Sequence, residues 1–392
     1  IVASILAMVI SGLRCDERGP RGSLIIGVGA IAIGSVVAGF AGNFLILVCG
    51  RALQGVGGGA IIVAVYVLIA RAYPASLRPK AFSLLAAAWV VPSLVGPLVA
   101  GWLTDTVTWR AVFWVVPFFV IPPLLVMVPK MGALQGGEPS TQFTRRVGAG
   151  VVVTAGLLAI QDGLSRAHAV GLIEAGVGFI VLVTAGKYLV PAGALRLARG
   201  LPTTIMMRGI IAAAYFSAVV FLPLALVETR GVSYTIAGLT IAVSAVFWSA
   251  GSLAQSRLSG DADRAPIVRL GALIVAGCLF SLPLVVLTEL PVWIASISWA
   301  MGAFGMGLAI PSVSVQTMRL SPASDQGVNS AALQIVDSVL VVAVTAFLGL
   351  FYAAAVAGQG ATPSTYALLW VISAVMAVVG VILAPRMRPR PT

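Results

Sequence analysis

The chain is a succession of long apolar runs separated by short polar turns. Thirteen runs can be marked, at 1–13, 23–42, 44–70, 81–104, 110–129, 147–163, 168–187, 204–227, 233–256, 266–288, 292–318, 327–357 and 363–384. About 20 apolar residues in a helix are enough to cross the hydrocarbon of a bilayer. In hydrocarbon a backbone N–H or C=O cannot be left without a partner, so uniformly apolar runs of this length must be helices. Barrel strands would be shorter and would alternate. The pattern predicts an all-α polytopic membrane protein with 13 spans present. The opening run, Ile1–Ile10, is too short for a full span and lacks the basic flank of a signal peptide. It reads as the back half of a helix whose front is absent, and one more helix ahead of it would bring the count to fourteen.

Composition supports lipid as the solvent. The chain is 60% hydrophobic and 9% charged, with a mean hydropathy of +1.07. The net charge of +12 does not point to nucleic acid, because the basic residues are spread thinly between apolar runs and form no patch. Their distribution carries the topology instead. If the turn after residue 13 is cytoplasmic and sides alternate from there, twenty of the 24 Lys and Arg residues fall on the cytoplasmic side, Arg208 among them. Three, Arg110, Arg166 and Arg230, fall on the other side, and Arg51 lies within a span. That bias predicts a multi-pass protein of the plasma (inner) membrane with a cytoplasmic C-terminus. Cys15, Cys49 and Cys278 share no metal-ligand or disulfide spacing. There is one histidine and no phosphate-binding glycine-rich loop. No enzyme, cofactor or metal site is expected.

Two distant stretches echo each other. Gly55-Val-Gly57 is followed by Arg71-Ala-Tyr-Pro74-Ala-Ser76, and Gly305-Met-Gly307 by Arg319-Leu-Ser-Pro322-Ala-Ser324. Both stretches have the same orientation, as two half-transporters related by an axis along the membrane normal would. The expected division is 1–129 for one half, 130–203 for two inserted spans with their linkers, and 204–392 for the other half.

Four local patterns, in order, resemble the major facilitator superfamily. Residues 12–21, Gly-Leu-Arg-Cys-Asp-Glu-Arg-Gly-Pro-Arg, resemble its loop signature Gly-x-x-x-Asp-Arg-x-Gly-Arg-Arg, matching at Gly12, Asp16, Gly19 and Arg21. Arg51-Ala-Leu-Gln54-Gly55-Val-Gly57 is similar to its helix-4 motif. Pro92-Ser-Leu-Val-Gly96-Pro97-Leu-Val-Ala100-Gly101 resembles the helix-5 motif associated with antiporters, and Trp109-Arg110-Ala-Val-Phe113 a run common before helix 6 in drug:proton antiporters. The resemblance covers essentially the whole chain. With two extra spans after helix 6, it implies the fourteen-span drug:proton antiporter subfamily lacking its first helix, and so a major facilitator fold of two six-helix halves plus two inserted helices. It also implies a gating role for residues 12–21, a helix kink tied to antiport at Gly96-Pro97, and a proton-coupling role for Arg51.

A charge within the bilayer costs at least ~2.5–3.5 kcal/mol and marks function by default. Asp337 lies about ten residues into its run, roughly 15 Å deep at 1.5 Å per residue. It is the leading proton-coupling candidate, and on the register of the repeat it corresponds to Trp89. Gln54, Tyr66, Trp89, Asn329 and Gln334 are polar or aromatic positions on the same cavity-forming runs, suited equally to an amphipathic substrate and to interhelical hydrogen bonds. Glu174 reads as a snorkelling or structural residue, and Glu228 and Glu289 as solvated span ends. His168 reads as an exposed loop residue. The expected function is proton-coupled efflux of hydrophobic or amphipathic compounds, drugs included, by alternating access. Its partners would be a lipophilic small molecule, protons and membrane lipid. The alternatives are an exporter of a lipid, peptide or metabolite on the same fold, or a truncated membrane protein that does not transport.

Overall fold

The computed structural model describes residues 2–88, 90–131, 142–166, 169–258, 262–288, 290–358 and 360–389. Trp89, His168 and Glu289 lie outside the described residues. The helices are α1 Val2–Arg18, α2 Pro20–Gly39, α3 Phe44–Ala72, α4 Arg78–Ala87, α5 Val90–Thr106, α6 Ala111–Met127, α7 Phe143–Arg166, α8 Ala169–Gly186, α9 Leu201–Val219, α10 Leu222–Arg230, α11 Tyr234–Ser256, α12 Ala265–Leu287, α13 Trp293–Leu320, α14 Gln326–Gly358 and α15 Pro363–Leu383. Each apolar run falls on one helix, except 81–104 and 204–227, which are each split in two. Among the described residues, nine helical segments are long and apolar enough to cross a membrane by length and composition.

Local chemistry sets the boundaries. The Asn43 side chain accepts from the Ile46 N–H at 2.9 Å and starts α3. Thr362 and Thr365 form a reciprocal capping box ahead of α15. Gly231, in the left-handed region, ends α10. At the far end of α12 the last carbonyls have no intrahelical donors. Arg230 supplies them, donating to the Val285 carbonyl at 2.7 Å, to that of Thr288, and to the Leu290 carbonyl beyond at 2.9 Å.

The helices pack in two groups. In the first, α3 lies against α1 and α2, and α2 against α6. The α2–α3 contact is made by glycines: a β-carbon on Gly34 would sit 2.7 Å from the Gly50 carbonyl oxygen, and one on Gly57 would strike the Gly27 carbonyl. Small residues let backbones approach where lipid provides no hydrophobic drive between helices. In the second group α13 packs on α11 and α12, α15 on α12 and α9, and α14 on α9. The two echoing stretches fold alike. Pro74 and Pro322 are both extended, with ψ 157° and 151°, and each leads into a short 3-10 turn, Ala75–Leu77 and Ala323–Asp325, before the next helix. Helices α7 and α8 form a hairpin that packs through α7 against α1 and α14. Its Glu174 lies 3.8 Å from Arg166, which also pairs with Asp162.

Candidate functional site

Asp337 stands eleven residues into α14, about 16 Å from its start. Opposite it is Arg208, seven residues into α9. The Arg208 Nε donates to Asp337 Oδ2 at 2.8 Å, with the side chains only 11% and 18% exposed. The next residue explains the short reach. A β-carbon on Gly209 would lie 2.6 Å from the Val336 carbonyl oxygen, so the two backbones are nearly in contact at this level. Arg208 Nη1 also reaches Ser314 Oγ of α13 at 3.5 Å, and that hydroxyl lies 3.4 Å from the Tyr66 hydroxyl of α3. Tyr66 is held edge-on against Phe82 of α4, with ring centroids 4.9 Å apart. A carboxylate, a guanidinium and two hydroxyls thus form one chain of contacts from the second helix group to the first.

Arg208, grouped by its place in the sequence with the basic residues of the polar turns, lies instead inside α9 and pairs with Asp337. The signal was available: Leu201-Pro202 puts proline in a first helical turn, which starts α9 earlier and carries Arg208 almost two turns inside it.

A second cluster lies at the end of the bundle where α1, α3 and α13 terminate. Asp16 Oδ1 accepts from the Gly327 N–H at 2.6 Å and Oδ2 from the Val328 N–H at 2.8 Å. It thereby caps the N-terminus of α14, where a negative charge is favoured. Arg71 lies 3.5 Å from Oδ1. A β-carbon on Gly12 would be 2.7 Å from the Gly327 carbonyl oxygen, and one on Gly327 would be closer still to that of Gly12. Gly19, at φ 79°, makes the left-handed turn between α1 and α2. Arg21 is exposed.

Burial pushes the Asp16 carboxyl up to about 6, against the lowering by the two backbone donors and Arg71; Asp325 adds to the rise. The docked carboxyl therefore holds its proton more tightly than a solvated one at its ordinary 3.8. By linkage the contribution of this group to docking is fully present below 3.8 and is lost as the pH rises through about 6. The distance between spin labels at the exposed positions Arg18 and Ser324 is expected to shorten on going from pH 7 to pH 5, and Asp16→Asn to remove that dependence.

Motif matching missed the counterpart of this contact. Gln255 stands four residues after Gly251, as Asp16 does after Gly12. Its Nε2 donates to the Pro79 carbonyl at the start of α4, at 3.3 Å. Arg264, buried, donates to Gln255 Oε1 at 3.1 Å and to the Gln255 and Leu258 carbonyls. The hydrogen bonds from Asp16 to the start of α14, from Gln255 to the start of α4 and between Ser314 and Tyr66 all lie toward this arginine-rich end.

The other candidates are dispersed. Arg51 is exposed, donating to Gln54 Oε1 at 2.8 Å, while Gln54 Nε2 donates to Ser35 Oγ at 2.7 Å. This pair ties α3 to α2 and does not approach Asp337. Asn329 is buried and turned to Ser321 Oγ at 3.0 Å, and Gln334 is buried on α14. Pro92 and Gly96 are exposed on α5, which also carries Pro97 and Gly101, while the break in this span falls earlier, after Ala87. Glu228, expected to be solvated, accepts from the hydroxyls of Tyr352 and Tyr366.

Comparison with known proteins gives consistent results. The sequence profile of the Major Facilitator Superfamily matches residues 1–345. A "probable multidrug-efflux transporter" of Mycobacterium tuberculosis is 24% identical over 403 residues, covering 97% of this chain and 84% of that protein. An uncharacterised MFS-type transporter of the same organism is 36% identical over 115 residues, a stretch that is 29% of this chain and 17% of that relative's length. Among solved structures, a human organic anion transporter superposes with a TM-score of 0.72 at 11% identity, covering 98% of this chain and 81% of that one. A proton:xylose symporter superposes with a TM-score of 0.67 at 17% identity, covering 99% and 85%.

Proposed function

The chain belongs to the major facilitator superfamily, a family of multi-pass membrane transporters rather than enzymes, and we propose that it exports hydrophobic or amphipathic small molecules in exchange for protons. The buried Arg208–Asp337 pair carries this reading. A proton on Asp337 cancels its charge and leaves Arg208 facing an uncharged group, so the α9–α14 contact and its link through Ser314 to Tyr66 change in energy. Ligands that bind two arrangements unequally shift the population between them. In this reading the arrangement closed at the arginine-rich end is open on the other side, and the arginine-rich end is cytoplasmic, with the protein in the plasma membrane. Residues 12–21 form the gate, Pro92 to Gly101 carry the antiport-associated motif, and Gln54, Tyr66, Trp89, Asn329 and Gln334 face substrate. Efflux of drug-like compounds draws support from the full-length likeness to the mycobacterial protein.

A second reading keeps the mechanism and changes the cargo to a lipid, peptide or metabolite. It is favoured by the uncharged character of the four cavity candidates within the described residues, two amides on α14, one on α3 and a phenol.

The test is uptake of a fluorescent lipophilic cation by inverted vesicles energised with a proton gradient, with and without Asp337→Asn. Gradient-driven uptake that the substitution abolishes is the expected result. A wild type that moves none of a broad panel of such dyes would remove the drug assignment and put lipids and metabolites next.

A further inference from the structure

At the arginine-rich end a groove of about 400 Å³ opens between the first turns of α12 and the last turns of α15. Its walls are Pro266, Arg269, Leu270 and Leu273 on one side and Val381, Pro385 and Arg388 on the other, with Ala265 at its head. The spacing on the α12 wall, i, i+3, i+4 and i+7, is that of a single helix face. The α15 wall repeats at i, i+4 and i+7, continuing into the 3-10 turn that follows the helix. Both walls change character along the same direction. The arginines stand toward the end of the bundle, Leu270 follows Arg269 directly, Leu273 lies about one turn deeper than Arg269, and Val381 lies about two turns deeper than Arg388. Leu270 and Leu273 are 49% and 56% exposed.

The two arginines have donors to spare. Arg269 is exposed and makes no hydrogen bond or ion pair among the described residues. Arg388 uses only its Nε, on Asp263 Oδ2 at 2.6 Å, leaving both terminal guanidinium nitrogens without a partner among the described residues. Asp263 is itself engaged, accepting from the Ala265 N–H at 3.0 Å. The head of the groove is thus net positive, and it lies beside a helix N-terminus, which adds to the field.

We propose that this groove is a binding site for one anionic diacyl phospholipid, its phosphate between Arg269 and Arg388 and an acyl chain along Leu270, Leu273 and Val381. The charge and the depth gradient select this occupant. A zwitterionic lipid would leave two guanidinium groups uncompensated, and a soluble anion would leave the apolar floor bare. Basic pockets between transmembrane helices recognise lipid head groups through the same combination. The proposal needs only that the chain spans a bilayer. It does not depend on what the protein transports.

The test uses the purified full-length chain in nanodiscs of equal dioleoylphosphatidylglycerol and dioleoylphosphatidylcholine. Retained lipid is counted by native mass spectrometry after release into detergent. Wild type is expected to retain phosphatidylglycerol selectively. At about fivefold for each basic residue near a lipid surface, Arg269→Gln with Arg388→Gln should lower that retention about thirtyfold. Lys80→Gln, an exposed charge on α4 outside the groove lining, should leave it unchanged. Asp263→Asn, which releases the Arg388 Nε, should raise it, and this second variant keeps the test open if the double variant folds poorly. Three results would overturn the proposal: equal retention of the two lipids by wild type, displacement of the lipid by millimolar inorganic phosphate, or a dimer that forms through this face and excludes lipid.

Discussion

Asp337→Asn is expected to abolish gradient-driven transport and to destabilise the protein at the same time, and the two losses can be separated. The substitution keeps the shape and a hydrogen-bond acceptor opposite the Arg208 Nε, but it leaves a guanidinium buried among helices without a counter-charge. Removing one member of a buried ion pair costs about 3–5 kcal/mol, more than the pair contributes over a neutral replacement, because the survivor is stranded. Arg208→Gln should therefore be as damaging as Asp337→Asn, and the double substitution should be much less so. If the pair serves only to hold α9 against α14, the double variant recovers both thermal stability and transport. If Asp337 titrates during the cycle, the double variant recovers stability alone, with uptake no longer responding to the proton gradient. Thermal unfolding in detergent and dye uptake in vesicles, measured on the same four proteins, distinguish these outcomes.

The second large effect is expected at Gly327. A β-carbon there would collide with the Gly12 carbonyl and with the Asp16 carboxylate that accepts from its own N–H. The first is backbone, and the second is held by two backbone N–H donors, so neither moves aside cheaply. In a packed core an added methylene costs about 1–3 kcal/mol. Here the strain falls on the junction between two helix groups, which can part instead of unfolding. Gly327→Leu should lengthen the distance between labels at Arg18 and Ser324 and stop transport, while each helix group keeps its secondary structure. Gly349→Ala, on the same helix with nothing within 4 Å of its β-position, should change neither. A Gly327→Leu protein whose label distance matches the wild type would show that the Gly12–Gly327 approach does not govern this closure.

Much of the architecture is written in the order of polar and apolar residues. Every apolar run lies on a helix because a run of that length in lipid has no other way to satisfy its backbone. Residues 12–21 were recognisable as a motif, but only Gly19 answers a local need, the left-handed turn between α1 and α2; what Gly12 and Asp16 meet, the start of α14 at Gly327, lies 311 residues beyond Asp16 and was not legible. The partner of Asp337 was not legible. Arg208 sits near the start of its run, where a count of charges by side assigns it to the polar end, and nothing local says that α9 meets α14, 129 residues away in sequence. The same holds for Glu228, whose tyrosine donors come from α14 and α15. Periodicity tells which face of a helix is apolar and is silent about which distant helix covers it. Arg51 illustrates the converse, since its motif was recognisable while its partner Gln54 belongs to a helix–helix tie, donating onward to Ser35 of α2.

The two contacts that close the arginine-rich end are built from different materials. One is a carboxylate on backbone N–H groups, responsive to acid. The other is an amide fed by a guanidinium, with no group in it that changes charge near neutrality. A rise in pH through about 6 is therefore expected to loosen one side of the closed end and leave the other fastened, so that the parting it favours is an asymmetric swing, with the α4–α11 contact as the hinge and the α1–α14 contact as the edge that lifts.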